Sequence, residues 1–107
     1  MVDEGNRLPG VIVAFSVTPI GTASASVADE VAEAVRVVRR SGLPSRTDAM
    51  FTTIEGEWDD VMRVVKQAVD VVLQRSERVS LVLKADIRPG ASGQLEEKVR
   101  KVEERLA

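Results

Sequence analysis

Hydrophobic residues alternate with small or polar residues in two stretches of the chain. Val11–Val17 and Val79–Ile87 carry apolar side chains at every odd position, which is the two-residue period of a strand with one buried face. Leu43–Met50 and Phe51–Glu55 read as two further short strands that pair with each other. The pattern therefore predicts four strands, of which the first and last each have a more polar second face.

Helical spacing of apolar residues appears in the three remaining segments. One helix follows a cap at Ser26 and closes at Gly42, a second begins after Gly56, and a third follows a cap at Ser92. The order β-α-β-β-α-β with an added C-terminal helix predicts a ferredoxin-like α+β fold with a four-stranded antiparallel sheet. Both main helices would cover one sheet face, and we expect another copy of the chain to cover the other.

The alternation also predicts which side chains occupy that open face of the sheet. If the odd positions of the first and last strands and Ile54 face the helices, the open face combines hydroxyls, an aromatic ring and charged groups. These residues are Ser16, Thr18, Phe51, Thr53, Glu55, Val82, Lys84 and Asp86. Covered by a second subunit, they could line a partly apolar small-molecule pocket.

Composition narrows the possible functions. The chain has 107 residues, a net charge of -2, and neither cysteine nor histidine, which excludes thiolate chemistry, disulfides, His-dependent catalysis and His-ligated zinc sites within one chain. Basic and acidic residues are interleaved, so nucleic acid is not an expected partner. We expect one domain over residues 11–107, a flexible extension over residues 1–10, no membrane span and a cytoplasmic location.

The loop from Pro19 to Ser26 invites comparison with a phosphate-binding loop because it precedes a helix N-terminus. It lacks the glycine pattern and the lysine of the known phosphate loops. A plain strand-to-helix turn with hydroxyl caps is the favoured interpretation, and anion binding is the alternative.

The segment Glu55–Asp60 places four acidic residues around a glycine and the only tryptophan. A metal cluster, a pair of catalytic carboxylates and a helix start whose acids suit the dipole are the competing interpretations, and the last is favoured. Trp58 is equally compatible with a core position and a ligand contact. Glu55 precedes the helix and would lie beside the open face, where a carboxylate near an aromatic ring suits a cationic ligand.

Four motifs give the chain a family resemblance. Val13–Thr22, Ser26-Val27, Ser41-Gly-Leu43 and above all Thr53-Ile-Glu-Gly-Glu-Trp-Asp59 resemble the small thiamine-binding protein family. The resemblance covers about Val11 to Asp86 and implies a ferredoxin-like fold assembled as a homotetramer, a dimer of dimers.

The resemblance further implies that thiamine or a related pyrimidine compound binds at subunit contacts, without catalysis and without another cofactor. The implied ligand-binding residues are Ser16, Pro19, Gly21, Thr22, Ser26, Thr53, Glu55 and Trp58. The alternatives are a structural or regulatory homo-oligomer without a ligand and, less favoured, an enzyme that uses Glu55 and Glu57 as an acid/base pair.

Overall fold

The computed structural model describes residues 7–21 and 27–107. Its elements follow the predicted order and form one four-stranded sheet, β2-β3-β1-β4, in which each neighbouring pair is antiparallel. They are β1 (Val11–Ile20), α1 (Ala28–Arg40), β2 (Ser45–Thr47), β3 (Thr52–Gly56), α2 (Trp58–Leu73), β4 (Arg78–Ile87) and α3 (Gln94–Leu106). This confirms the predicted ferredoxin-like α+β fold with an additional C-terminal helix.

The core lies between one face of the sheet and helices α1 and α2. Val13 of β1 is opposite Ile54 of β3 and Ala85 of β4, so these residues share the helix-covered face. Val13 and Ile54 are completely buried, as is Val38 of α1. The same register places Thr53 and Glu55 with the even residues of β1 on the open face, as the alternation predicted.

Strand β1 continues further than its sequence suggested. The sequence predicted a loop from Pro19 onwards, but β1 extends through Pro19 to Ile20. The reason is that pairing with β3 ends at Phe15, whereas pairing with β4 continues to Ile20. A proline, which cannot donate a hydrogen bond, is tolerated in a strand segment that lacks a neighbour on one side.

The segment before β1 is bonded to the domain where the structure describes it. Trp58 donates a backbone hydrogen bond to Leu8 (2.9 Å), and Arg88 donates one to Gly10 (2.8 Å). Gly10 is buried with φ +93°, and a Cβ atom there would lie 2.0 Å from the Arg88 carbonyl oxygen. Only glycine fits this close approach. Residues 1–6, the rest of the predicted flexible extension, lie outside the described residues.

Within the described part of the chain, no helix is both long and apolar enough to cross a bilayer.

Candidate functional site

A pocket of about 210 Å³ lies beside the half of β1 that has no β3 neighbour. The other walls come from the start of α1 and from the turn between β2 and β3. The lining residues are Phe15, Ser16, Val17, Thr18, Val27, Val31, Ala34, Val35, Thr47, Asp48, Ala49, Met50, Phe51 and Thr52. Three separate chain segments therefore build the pocket, and residues 22–26, which connect two of them, lie outside the described residues.

The pocket is mainly apolar, with a few polar groups. Its hydroxyl-bearing lining residues are Ser16, Thr18, Thr47 and Thr52, and its aromatic ones are Phe15 and Phe51. Of the described lining residues, Asp48 alone has an ionisable side chain. Such a surface suits a flat organic molecule held by apolar contact and a small number of hydrogen bonds.

Asp48 is held in place by the turn that it begins. Its Oδ1 accepts hydrogen bonds from the backbone N–H groups of Met50 (2.8 Å) and Phe51 (3.0 Å), and its own N–H donates to the Phe51 carbonyl (3.0 Å). The bonds from Met50 and Phe51 lower the pKa of the Asp48 carboxyl below its ordinary value, because they favour the charged form. Asp48 is therefore an ionised carboxylate at neutral pH.

Only one of the predicted site residues on β1 and the loop after it is seen to line the pocket. Ser16 lines the pocket. Pro19 is buried further along β1, and Gly21 follows the strand with an exposed backbone at φ +88°. Thr22 and Ser26 lie outside the described residues, so the structure describes neither of them.

Thr53 follows the lining residue Thr52, whereas Glu55 lies further towards the other end of the sheet. Thr53 is opposite Ala14, and Glu55 is opposite Ile12. With a rise of about 3.3 Å per strand residue, Ile12 is roughly 13 Å along β1 from Ser16. Within one subunit, Glu55 is therefore distant from Ser16, whereas Thr53 is its diagonal neighbour on the open face.

Glu55 has a role inside the subunit that its sequence position did not reveal. Its side chain is on the open face, yet the residue is only 5% exposed. Oε2 accepts the backbone N–H of Gln94 (2.9 Å), and Oε1 accepts that of Leu95 (3.0 Å). Glu55 thus caps the N-terminus of α3, where Ser92 was the predicted cap, and Gly93 in the N-cap position offers no side chain.

The other residues of the acidic segment start helix α2. Glu57 is its N-cap: Oε1 accepts the Asp60 N–H (3.3 Å), and Oε2 accepts the Leu8 N–H (3.3 Å). Hydrogen bonds from the Asp59 backbone, then from Leu8 and Asp60, lower the pKa of the Glu57 carboxyl, with a further contribution from the Arg7 charge. This supports the helix-start interpretation of the acids.

Trp58 is half-buried and packs against the hydrophobic core. It is the first residue of α2 and does not line the pocket beside β1. Among the residues that the structure describes, no group of three potential ligands is arranged to hold a metal ion.

Helix α3 is attached to the open face at the end where Glu55 lies. Lys98 of α3 pairs with Asp86 of β4, and the hydrogen bond and charge of Lys98 lower the pKa of Asp86. The apolar stripe of α3 nevertheless remains exposed: Val99 by 47%, Val102 by 57% and Leu106 by 74%.

Asp48 and Met50 line the pocket but were not among the predicted site residues. A signal for Asp48 existed, because aspartate commonly begins a turn by accepting the N–H groups that follow it. No comparable signal marked Met50, whose position at the pocket depends on how that turn packs.

A family model and a sequence relative both match most of this chain. A family model described as thiamine-binding protein matches residues 13–103. An uncharacterised UPF0045 protein of Mycobacterium bovis is 55% identical over 97 residues, which cover 90% of this chain and 94% of that protein.

Two solved structures are similar over most of their length. A hypothetical protein from Methanocaldococcus jannaschii is 33% identical, with a TM-score of 0.80, over 88% of this chain and 96% of its own. A Thermotoga maritima protein assigned provisionally to thiamine biosynthesis or salvage is 28% identical, with a TM-score of 0.76, over 88% of this chain and 99% of its own.

Proposed function

Because this chain belongs to the thiamine-binding protein family, we propose that it binds thiamine or a related pyrimidine or thiazolium compound without catalysing a reaction. The observation that carries the proposal is the pocket beside β1, whose lining combines apolar residues with hydroxyl-bearing residues, Phe51 and Asp48. Sequestration, delivery and sensing are the roles that such binding would serve.

The chemistry of the pocket matches the chemistry of thiamine. The compound joins two flat heteroaromatic rings, of which the thiazolium carries a positive charge and the pyrimidine carries an amino group. Phe51 supplies an aromatic surface for a cationic ring. A hydroxyl of the lining residues can donate to a ring nitrogen or accept from the amino group.

We also propose that a second copy of the chain completes this site. The pocket volume of about 210 Å³ is below the roughly 300 Å³ at which small-molecule sites usually begin. Met50 lines the pocket but is 73% exposed, and Val82, opposite Ser16 on the open face, is 54% exposed. Covering these side chains would enlarge the walls and remove apolar surface from water. A tetramer built as a dimer of dimers is the proposed assembly.

The hydrogen bonds of Glu55 and Glu57 support a function without catalysis, because they leave these two glutamates unsuited to act as an acid/base pair. Glu55 binds the N-terminus of α3, whereas Glu57 binds that of α2. Each carboxylate therefore has a structural partner, and the two serve different helices. The chain also contains no histidine or cysteine to act in their place.

A structural or regulatory homo-oligomer without a small ligand is the second candidate function. The exposed apolar stripe Val99, Val102 and Leu106 of α3 favours it, because this surface lies away from the pocket and needs only a protein partner.

Calorimetry on the purified, ligand-free protein distinguishes the two functions. Thiamine, hydroxymethylpyrimidine and thiamine pyrophosphate would be titrated separately, and we expect heat with thiamine. Phe51→Ala should weaken thiamine binding by about 1 kcal/mol, roughly fivefold, through loss of the aromatic surface. Leu73→Ala, at an exposed apolar position of α2 outside the pocket, is the control. No heat with any compound would favour the assembly function.

A further inference from the structure

We infer that Asp48 is the residue that selects the charge of the ligand, so that the pocket takes a cationic heteroaromatic compound and discriminates against its phosphate esters. This inference rests on the proposed function and adds to it the ionic form of the ligand. It concerns a residue that the family resemblance did not implicate.

The first supporting observation is the charge of the pocket. Asp48 is its single ionisable residue among the described lining residues, and no lysine or arginine is among them. A phosphate ester would thus bring negative charge towards a carboxylate, with no basic side chain among the described lining residues to neutralise it.

The second observation is how the carboxylate is bonded. Within the described residues, both hydrogen bonds to Asp48 go to Oδ1, and each comes from a neutral backbone group. The turn fixes the side chain but does not neutralise its charge. Oδ2 therefore retains the capacity to accept a hydrogen bond from an amino group or to face a cationic ring.

The third observation is the position of Asp48 next to the aromatic residue. Asp48 and Phe51 are joined by two hydrogen bonds, from the Asp48 N–H to the Phe51 carbonyl and from the Phe51 N–H to Oδ1. One turn consequently places a carboxylate residue and an aromatic residue in the lining of the same pocket. This combination recognises a flat cation better than a neutral or an anionic molecule.

One feature of the pocket acts in the opposite direction. Val27, the N-cap of α1, lines it, and helix N-termini favour anions. Asp29 and Glu30 in the first turn of α1 counter that preference. Comparing the affinities for thiamine and thiamine monophosphate therefore measures the Asp48 charge against the anion preference of the α1 N-terminus.

The test is calorimetry at pH 8 with thiamine, thiamine monophosphate and neutral hydroxymethylpyrimidine on the full chain. We expect the wild-type protein to bind thiamine about tenfold more tightly than its monophosphate, because the phosphate would lie near the like-charged Asp48 carboxylate. Asp48→Asn keeps an oxygen that can accept from Met50 and Phe51 but removes the charge. It should weaken thiamine binding about threefold to tenfold and leave hydroxymethylpyrimidine within about twofold.

Asp70→Asn is the matched control, because it makes the same change of charge on an exposed part of α2 outside the pocket. A salt titration of the wild-type protein provides a measurement that needs no variant: salt should weaken thiamine binding and leave hydroxymethylpyrimidine binding unchanged. Tighter binding of the monophosphate, or thiamine binding that responds neither to Asp48→Asn nor to salt, would overturn the inference alone. No heat with any compound would overturn the proposed function and the inference together.

Discussion

Replacing Glu55 by glutamine tests whether one buried carboxylate holds the C-terminal helix on the sheet. The two oxygens of Glu55 accept hydrogen bonds of 2.9 and 3.0 Å from consecutive backbone N–H groups at the start of α3. Glutamine keeps one acceptor but places an NH₂ group opposite the second N–H donor. The substitution thus removes one bond to a charged group and the favourable charge at the helix N-terminus.

The expected loss can be estimated from these contacts. A hydrogen bond to a charged group contributes about 1.5–3 kcal/mol, but the freed N–H lies at a helix end that water can reach. The measured range for losing an N-cap, about 0.5–2 kcal/mol, is therefore more appropriate. We expect Glu55→Gln to lower the free energy of unfolding by about 1–2 kcal/mol, measured by urea denaturation.

Hydrogen exchange separates this explanation from a general loss of stability. Amides of α3 should exchange faster in Glu55→Gln than in the wild-type protein, whereas amides of β1 should follow global unfolding. Glu103→Gln, at an exposed position of α3, is the control. Because Glu55 lies roughly 13 Å along the sheet from Ser16, thiamine affinity should change by less than about twofold. Wild-type stability together with unchanged α3 exchange would refute the reasoning.

Two further predictions concern pH and assembly. The folded-state pKa of Glu57 lies below its ordinary value of 4.5. Its ionised carboxylate therefore stabilises the fold above pH 4.5, and this stabilisation is lost as pH falls through the folded-state pKa. Urea denaturation from pH 7 to pH 3 should show the loss, and Glu57→Gln should make the free energy of unfolding depend less steeply on pH. Val102→Asp introduces a charge into the exposed stripe of α3 and should shift sedimentation towards smaller species without changing helix content by circular dichroism. The conservative change Val102→Ala is the control, and an unchanged oligomer with Val102→Asp would show that this stripe is not a subunit contact.

Much of the fold follows from the sequence because its signals are local. The alternation in Val11–Val17 and Val79–Ile87 identified the first and last strands of the chain, and their odd positions share the helix-covered face as expected. The same reasoning placed Thr53 and Glu55 on the open face. Secondary structure and facing depend on residues that are close in the chain, and such residues can be read together.

Only some residues of the candidate site could be predicted from local sequence patterns. Ser16 was predicted and lines the pocket, whereas Asp48 and Met50 were missed. The pocket requires the end of β1, the start of α1 and the β2–β3 turn to meet, and no periodicity encodes that meeting. Local turn chemistry marks Asp48 as a turn residue, but not as a residue beside Ser16.

Glu55 shows most clearly what only the tertiary structure decided. Its sequence position correctly gave its strand and its face, and so suggested that its carboxylate was available to a ligand. Its oxygens instead bind backbone groups 39 and 40 residues further along the chain. A buried carboxylate takes whichever donors the fold brings within reach. The sequence by itself therefore determined where Glu55 lies in its strand, and the packing of α3 determined what it binds.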